Sequence, residues 1–236
     1  KMNKVVLEHK PDFIVWGGDL AAGNGEPLRV NRWHDFFSII KESLIYEDGR
    51  VIPIICAIGN HELFSRQRLI WGRSPHNEHT EEEADAYMEK NNLSDGQATY
   101  FFDLFAFPGK PAYNVLDFGD YFSLLILDSN HTSPVKGQQT DWLKTVLNER
   151  KNVSHIFPVY HVPAYPSAGS YNGQTQIDIR ENWVPLFEKS NVRTAFEHHK
   201  HGYKRTHPIK NEKIDEDGIV FNTSLIPGQS AQITVT

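Results

Sequence analysis

The sequence contains very little cysteine, and its hydrophobic runs are short. The one cysteine among 236 residues, Cys56, lies within the apolar stretch 51–58. A single cysteine excludes an intramolecular disulfide framework, and its apolar surroundings favour a core residue over a reactive thiol. The longest apolar runs have the length of strands and are interrupted by proline or charge. The sequence therefore predicts neither a membrane-spanning segment nor a signal peptide within these residues.

The chain also lacks an excess of positive charge. Its 24 Lys and Arg residues stand against 30 Asp and Glu residues, which gives a formal net charge of -6. Because a surface that binds nucleic-acid phosphates must be basic, this composition argues against a general nucleic-acid-binding protein. An anionic substrate would need a local source of positive charge, and a bound metal ion is the obvious one.

The chain does contain enough apolar sequence for one sizeable domain, together with an ample supply of histidine. Hydrophobic residues make up 39% of the sequence and aromatic residues 12%, which suffices for a substantial core. Twelve histidines are present, and histidine is the commonest metal ligand in proteins. Because the chain starts abruptly at Lys1 and reaches its first apolar strand within a few residues, we expect that part of the protein lies upstream.

The pattern of apolar residues predicts alternating strands and helices. A strand at 13–16, a helix at 33–45 and a strand at 51–58 form a βαβ unit, so at least part of the sheet should be parallel. Residues 63–98 are polar and are predicted to form an insertion over the edge of the sheet. Further strands are predicted at 113–118, 121–127, 155–160, 192–196 and 219–221, with helices at 81–88, 138–150 and 181–189.

Chemically distinctive residues follow several of these strands. The tetrapeptide Gly59-Asn60-His61-Glu62 comes directly after the apolar run 51–58 and, taken alone, is equally compatible with a polar turn and with a functional site. Its candidate partners also follow predicted strands, and they are Asp19, His161, His199 and His201. Since the carboxyl ends of neighbouring strands meet at one edge of a sheet, these side chains are expected to lie together. Carboxylate, amide and imidazole groups form a mixed nitrogen and oxygen set that suits Zn, Mn or Fe. His199 and His201, two residues apart in an extended chain, would project to the same side.

These motifs, in this order, carry a family resemblance. Gly18-Asp19, Gly59-Asn60-His61-Glu62, His161-Val162-Pro163 and His199-Lys200-His201 resemble the successive blocks of the calcineurin-like metallophosphoesterases, closest to the purple acid phosphatase branch. The flanking hairpin at 113–129 and the Tyr203-Lys204-Arg205 ending are similar as well. The resemblance implies an α/β fold with a two-sheet β-sandwich flanked by helices and built on a βαβαβ core. The whole of residues 1–236 is then interpreted as one such domain.

The resemblance also implies roles for individual residues. Asp19 would bridge two metal ions, Asn60, His161 and His199 would complete the second metal site, and His201 would bind the first metal. His61 would contact the phosphate and protonate the leaving oxygen, and Glu62 would hold the ring of His61. The implied chemistry is attack of a metal-activated water on a small phosphorylated substrate. A periplasmic or secreted location is also in keeping with the resemblance.

The sequence departs from the family pattern at three positions. No Asp-x-His or Asp-x-Gly block precedes Asp19, so two metal ions are expected only if that block lies upstream. Ala22 occupies the position of the metal-binding tyrosine of the purple branch, so a coloured tyrosinate–iron centre is not expected. His198 replaces a glycine, and we interpret it as a partner near the substrate or as a crowding substitution. Tyr165, in the loop after His161, is a further candidate for the substrate pocket.

Two functions remain open at this level. The first is a metal-dependent hydrolase of phosphomonoesters or phosphodiesters. The alternative is a non-catalytic metal- or phosphate-binding module that keeps the fold with a degenerate site.

Overall fold

The computed structural model of the chain describes residues 2–71, 79–223 and 232–235, and it contains helices and strands in alternation along most of that length. The helices are α1 (Met2–Glu8), α2 (Asn31–Ser43), α3 (Arg66–Ile70), α4 (Glu81–Asn91), α5 (Phe101–Leu104), α6 (Thr140–Glu149), α7 (Gln174–Asn182) and α8 (Val184–Glu188). The strands are β1 (Phe13–Trp16), β2 (Ile54–Cys56), β3 (Asn114–Phe118), β4 (Phe122–Ile126), β5 (His155–Val159), β6 (Thr194–Phe196), β7 (Lys204–Arg205), β8 (Ile209–Lys210), β9 (Lys213–Ile214), β10 (Val220–Thr223) and β11 (Gln232–Val235).

Two sheets of mixed direction form the centre of the molecule. The smaller sheet has the order β11-β1-β2, in which β1 and β2 are parallel and β11 is antiparallel to β1. The larger sheet has the order β3-β4-β5-β6-β10-β7, with parallel pairing from β4 through β10 and antiparallel pairs at both edges, of which β3 and β4 form a hairpin. The predicted βαβ unit and the predicted hairpin are therefore confirmed.

The two sheets pack face to face, and helices cover their outer faces. Phe13, Val15 and Ile55 from the small sheet share a buried cluster with Leu124 and Val159 from the large sheet. The apolar residues of α2 pack on the outer face of the small sheet, while α6, α7 and α8 cover the large one. This arrangement is the two-sheet sandwich flanked by helices that the sequence predicts, and burial of both faces explains why the strands are continuous apolar runs.

Two elements differ most from their predicted boundaries. The apolar run 51–58 forms a strand only over Ile54–Cys56, because Val51 instead makes an isolated bridge with Ile45. The single helix predicted at 181–189 is two helices, α7 and α8, and α7 already begins at Gln174. Pro185 at the start of α8 has no backbone N–H and so cannot continue the hydrogen-bond ladder of α7.

The segment 63–98, predicted as an insertion, builds a small packing unit of its own. Phe64 and Leu69 form a buried cluster with Ala84 and Leu93, and so join α3 to α4. The α4 helix begins with a capping box in which Thr80 and Glu83 satisfy each other's backbone amides, as the run of glutamates at a helix start leads one to expect. His76, a candidate loop histidine, lies outside the described residues. Among the described helices, none is long and apolar enough to cross a membrane.

Candidate metal centre

Asp19 lies in a sharp turn that directly follows β1. Gly18 and Asp19 both have left-handed conformations, with φ of 94° and 56°. A Cβ atom on Gly18 would lie 2.6 Å from the backbone nitrogen of Gly59, so only glycine allows the turns after β1 and β2 to approach so closely. The close approach places Asp19 beside the Gly59–Glu62 turn.

Glu62 locks these two turns together. Its fully buried carboxylate accepts hydrogen bonds from the backbone amides of Asp19 and Gly59, both at 2.8 Å, and of Leu20 at 2.7 Å. In return, Oδ1 of Asp19 accepts the backbone amide of His61 at 2.8 Å. Burial and the nearby Asp19 charge raise the pKa of Glu62 to about 7. Glu62 therefore holds the backbone of the turns.

His161 follows β5 and presents one ring nitrogen to this cluster. Its Nδ1 donates to the carbonyl of Gly17 at 2.7 Å, which fixes the proton on Nδ1. Nε2 lies 3.1 Å from Oδ2 of Asp19 and 3.0 Å from Oδ1 of Asn60. Burial opposes the charge on either group, but their mutual attraction prevails, so the pKa of His161 rises and the pKa of Asp19 falls well below its usual range.

His199 completes the group from the loop after β6. Its Nδ1 lies 2.9 Å from Oδ1 of Asn60 and 3.2 Å from Nε2 of His161. Burial and the neighbouring His161 lower the pKa of His199 to about 4, so the ring is neutral at pH 7 and has a lone pair to offer. Asp19, His161 and His199 have ligand atoms within 4.8 Å of one another.

These donor atoms fit a metal ion. A tetrahedral zinc ion with bonds of about 2.0 to 2.1 Å separates its ligand atoms by roughly 3.3 Å. Four of the distances among these ligand atoms, those from His161 to Asp19, Asn60 and His199 and that from His199 to Asn60, are 2.9–3.2 Å, slightly shorter than that. The Gly17 carbonyl supplies the outer hydrogen bond that orients a metal-binding histidine. A carboxylate, an amide oxygen and two imidazoles form the mixed set that Zn, Mn and Fe accept.

His201 does not belong to this converging group. It is exposed, and among the described residues the cluster of close ligand atoms contains His199 but not His201. The extended chain predicted for the two histidines is not formed, because His199 has a left-handed φ of 60° and residues 199–203 form no strand. The assignment of His201 to a first metal ion stays a prediction.

His61 stands beside the centre and is oriented by Asn24. Nδ1 of His61 lies 2.5 Å from Oδ1 of Asn24, and the backbone N–H of Asn24 donates to the carbonyl of His61 at 2.8 Å. Nη1 of Arg68 approaches the same side-chain oxygen at 3.5 Å and donates to the carbonyl of Asn60 at 2.9 Å. Since two donors converge on Oδ1 of Asn24, Nδ1 of His61 carries the proton and Nε2 faces the other way. Burial lowers the pKa of His61, although Asp19 opposes this.

The expected role of Glu62 is thereby corrected. Glu62 was predicted to hold the ring of His61, but Asn24 accepts from that ring while Glu62 binds backbone amides. Asn24 could have been suspected from its place in the Gly/Asn loop after Asp19, yet the sequence offers no signal that pairs it with His61.

His198 and Tyr165 were predicted to contact substrate, but the structure buries both. His198 is 2% exposed, its Nδ1 donates to the carbonyl of Tyr160 at 2.8 Å, and its ring occupies the space where a Cβ atom on Gly17 would lie. Burial lowers the pKa of His198 to about 4, so the ring is neutral. The Tyr165 ring packs on Phe221 at 4.7 Å within the core under α7. Side chains enclosed in this way have little surface to offer a substrate.

A second residue that sequence reasoning missed is His131. Its ring packs edge-on against His161, with centroids 5.4 Å apart, and His161 packs likewise on His199 at 5.0 Å. The carboxylate of Asp128 accepts the backbone amides of His131, Thr132 and Ser133 at 2.7–2.8 Å. Asp128 thus holds the loop in which His131 packs against His161, a candidate metal ligand.

Fold and centre together define a metallophosphoesterase. Residues 1–203 match the family model of the calcineurin-like phosphoesterases, and the chain belongs to this family. An uncharacterized protein of Mycobacterium tuberculosis is 32% identical over 222 residues, covering 85% of this chain and 36% of its own length. The chain thus spans little more than a third of that relative.

Two solved structures share the fold. A purple acid phosphatase from yellow lupin (Lupinus luteus) seeds superposes with a TM-score of 0.62 at 18% identity, covering 98% of this chain and 40% of the lupin chain. A dimetal phosphatase from Danio rerio gives a TM-score of 0.55 at 15% identity, covering 99% of this chain and 82% of the other. These two structures confirm the predicted two-sheet fold, and the family model confirms the predicted family.

Proposed function

We propose that this chain hydrolyses phosphate monoesters or diesters with a metal-activated water. The observation that carries the proposal is the convergence of Asp19, Asn60, His161 and His199 from the ends of four different strands. Family membership supports metal-dependent phosphoester chemistry in general. The choice of substrate and the identity of the metal go beyond that support.

In the proposed mechanism the four residues would hold one metal ion, and Asp19 and His201 would contribute to a second if further ligands complete it. Bound metal ions would lower the pKa of a water molecule and neutralise charge on the phosphoryl group. Gly17 and Asn60 keep the His161 ring in place, and Glu62 keeps Asp19 in place. Rigid placement matters because phosphoryl transfer is catalysed chiefly by positioning and electrostatics.

His61 is the proposed proton donor to the leaving oxygen. With Nδ1 bound to Asn24, its Nε2 is the nitrogen that delivers the proton. A leaving alkoxide is a strong base, so a positioned acid contributes about 10²- to 10⁴-fold to its departure. Because Nδ1 keeps its proton, His61 acts as an acid only in its doubly protonated form, which carries a second proton on Nε2. Burial lowers the pKa of His61, which makes this form a stronger acid and confines it to lower pH.

The test combines a metal titration with an assay. The purified protein is loaded with Mn²⁺, Zn²⁺ or Fe²⁺ and given aryl phosphate monoesters and diesters, with Asp19→Ala as the matched control. Turnover that depends on metal and exceeds the control supports the proposal. A protein that binds metal but turns over no better than Asp19→Ala on either ester class contradicts it.

The alternative is a metal- or phosphate-binding module without catalysis. One observation favours it, because His201, the candidate ligand of a first metal, is exposed and is not among the described residues whose ligand atoms lie within 4.8 Å of one another. Metal content separates the two candidates. Two equivalents per chain favour the hydrolase, and one equivalent without turnover favours the binding module.

A further inference from the structure

The loop after β5 carries His161 and the loop after β6 carries His199, and we call them the two histidine loops. A buried ion pair lies next to both. Glu197 is 0% exposed and Lys204 is 9% exposed, and Nζ of Lys204 donates directly to Oε2 of Glu197. Glu197 follows β6, just ahead of His199, and Lys204 begins β7. Enclosing two charges is costly, and replacing such a pair with well-packed neutral side chains is often neutral or stabilising. Its presence here calls for a role besides stability.

The contacts of Glu197 reach the other histidine loop. Its Oε1 accepts the hydroxyl of Tyr160 at 2.8 Å and the backbone amide of Ala164 at 2.6 Å. These two residues flank His161, one directly before it and one three residues after. One carboxylate therefore joins the loop that carries His199 to both sides of the loop that carries His161.

Lys204 also bonds to both histidine loops. Besides its bond to Glu197, Nζ of Lys204 donates to the backbone carbonyl of Tyr165 at 2.7 Å. The backbone of His198 adds a further link, since its N–H donates to the carbonyl of His161 at 3.0 Å. The two loops are thus joined at several points, with the ion pair bonded to both.

We propose that the Glu197–Lys204 pair is a positioning device that sets the separation of His161 and His199 and thereby the affinity of the metal centre. This inference rests on the proposed metal-dependent function. Backbone hydrogen bonds continue the pairing of β5 and β6 only as far as His161 and His198, so they do not reach His199. Bonds to a charged group are about twice as strong as neutral ones. Outer partners of metal ligands commonly change metal affinity by about 10- to 100-fold when they are altered.

The experiment measures metal affinity rather than turnover. Mn²⁺ and Zn²⁺ binding is measured by titration calorimetry for wild type, Glu197→Gln, Lys204→Met and the double variant, alongside thermal unfolding without metal. The double variant leaves no unpaired charge in the interior, so it is expected to fold even where a single variant does not. The matched control is Arg150→Met, which removes an ion pair with Asp117 at the opposite end of the same sheet.

We expect the metal dissociation constants of the folded variants to be at least about tenfold larger than that of wild type, and that of Arg150→Met to be unchanged. Because the two residues act as one unit, the double variant should lose no more affinity than the weaker-binding single variant. A folded double variant that binds metal within twofold of wild type overturns the positioning role and leaves the proposed function intact. A wild-type protein that binds neither metal overturns both.

Discussion

The imidazole of His61 and the side-chain amide of Asn24 form a short contact, with Nδ1 and Oδ1 only 2.5 Å apart, at the edge of the metal centre. The backbone of Asn24 bonds to His61 as well, so the two residues are joined at two points. The contact fixes which nitrogen of His61 is left to face a substrate.

His61→Ala should therefore act on the departure of the leaving group. We expect turnover of an alkyl phosphate to fall by about 10²- to 10⁴-fold, and turnover of an activated aryl phosphate to fall much less, since its leaving group needs no proton. Steady-state kinetics on both substrates provide the measurement. An equal loss on the two would contradict the role of His61 as an acid.

Asn24→Gly should give the same pattern with smaller losses. Glycine tolerates the left-handed φ of 56° at this position, so the variant removes the side-chain acceptor without backbone strain. Asn24→Asp is the matched control, because it retains an acceptor for Nδ1. If both variants behave like wild type on alkyl and aryl esters, Asn24 does not orient His61.

Gly59→Ala should abolish tight metal binding. A Cβ atom there would lie 2.6 Å from Oδ1 of Asp19 and 2.9 Å from Cε1 of His161, so both candidate ligands must move. Gly202→Ala is the comparison, since its added carbon meets only Oγ of Ser167 at 3.9 Å. Calorimetric titration with Zn²⁺ measures the difference, and equal affinities in the two variants would show that the close packing at Gly59 is not needed.

Glu62→Gln should reduce stability and metal affinity together. The glutamine amide group would point hydrogens at backbone N–H donors, which costs about 1–3 kcal/mol for each buried group left unsatisfied. Urea unfolding is the measurement, and Glu83→Gln serves as the control because glutamine functions equally well in that exposed capping box. Unchanged unfolding with a loss confined to turnover would instead assign Glu62 a direct catalytic role.

His199→Ala and His201→Ala should differ in metal content. His199 belongs to the converging group, so its removal should empty that site. His201→Ala should retain the metal ion of that site and lose at most the other ion. Elemental analysis of proteins dialysed against equal Mn²⁺ provides the count. Complete loss of metal in His201→Ala would place this histidine in the same site as His199.

Asp117 should contribute to stability in a manner that depends on pH. The hydrogen bond from Arg150 lowers the pKa of Asp117, so its contribution is fully present above the ordinary carboxyl pKa and is lost as pH falls through the lower folded value. Its side chain is 43% exposed, so the effect should stay below about 1 kcal/mol. Unfolding of wild type and Asp117→Asn should differ at pH 6 and converge towards pH 2, and a constant difference would contradict this.

The sequence by itself determined most of the strands of the two sheets, the helices α2, α4 and α6, and the residues at the ends of the strands. Strand and helix periods are local properties, which is why the hairpin of β3 and β4 and the helices α2 and α6 were predictable. The end of a strand such as β5 likewise identifies His161 as a candidate. The placing of α7 was missed because its pattern is mostly polar, and the break before α8 depends on a single proline.

Only the tertiary structure decided which of these residues meet and through which atoms. Asn24 and His61 are 37 positions apart, and Glu197 reaches Tyr160 across 37 positions. No local period encodes such pairs, because they depend on how two irregular loops pack. The structure likewise placed His199 but not His201 among the close ligand atoms of the described residues, and the left-handed backbone of His199 interrupts the extended chain that the sequence predicts there.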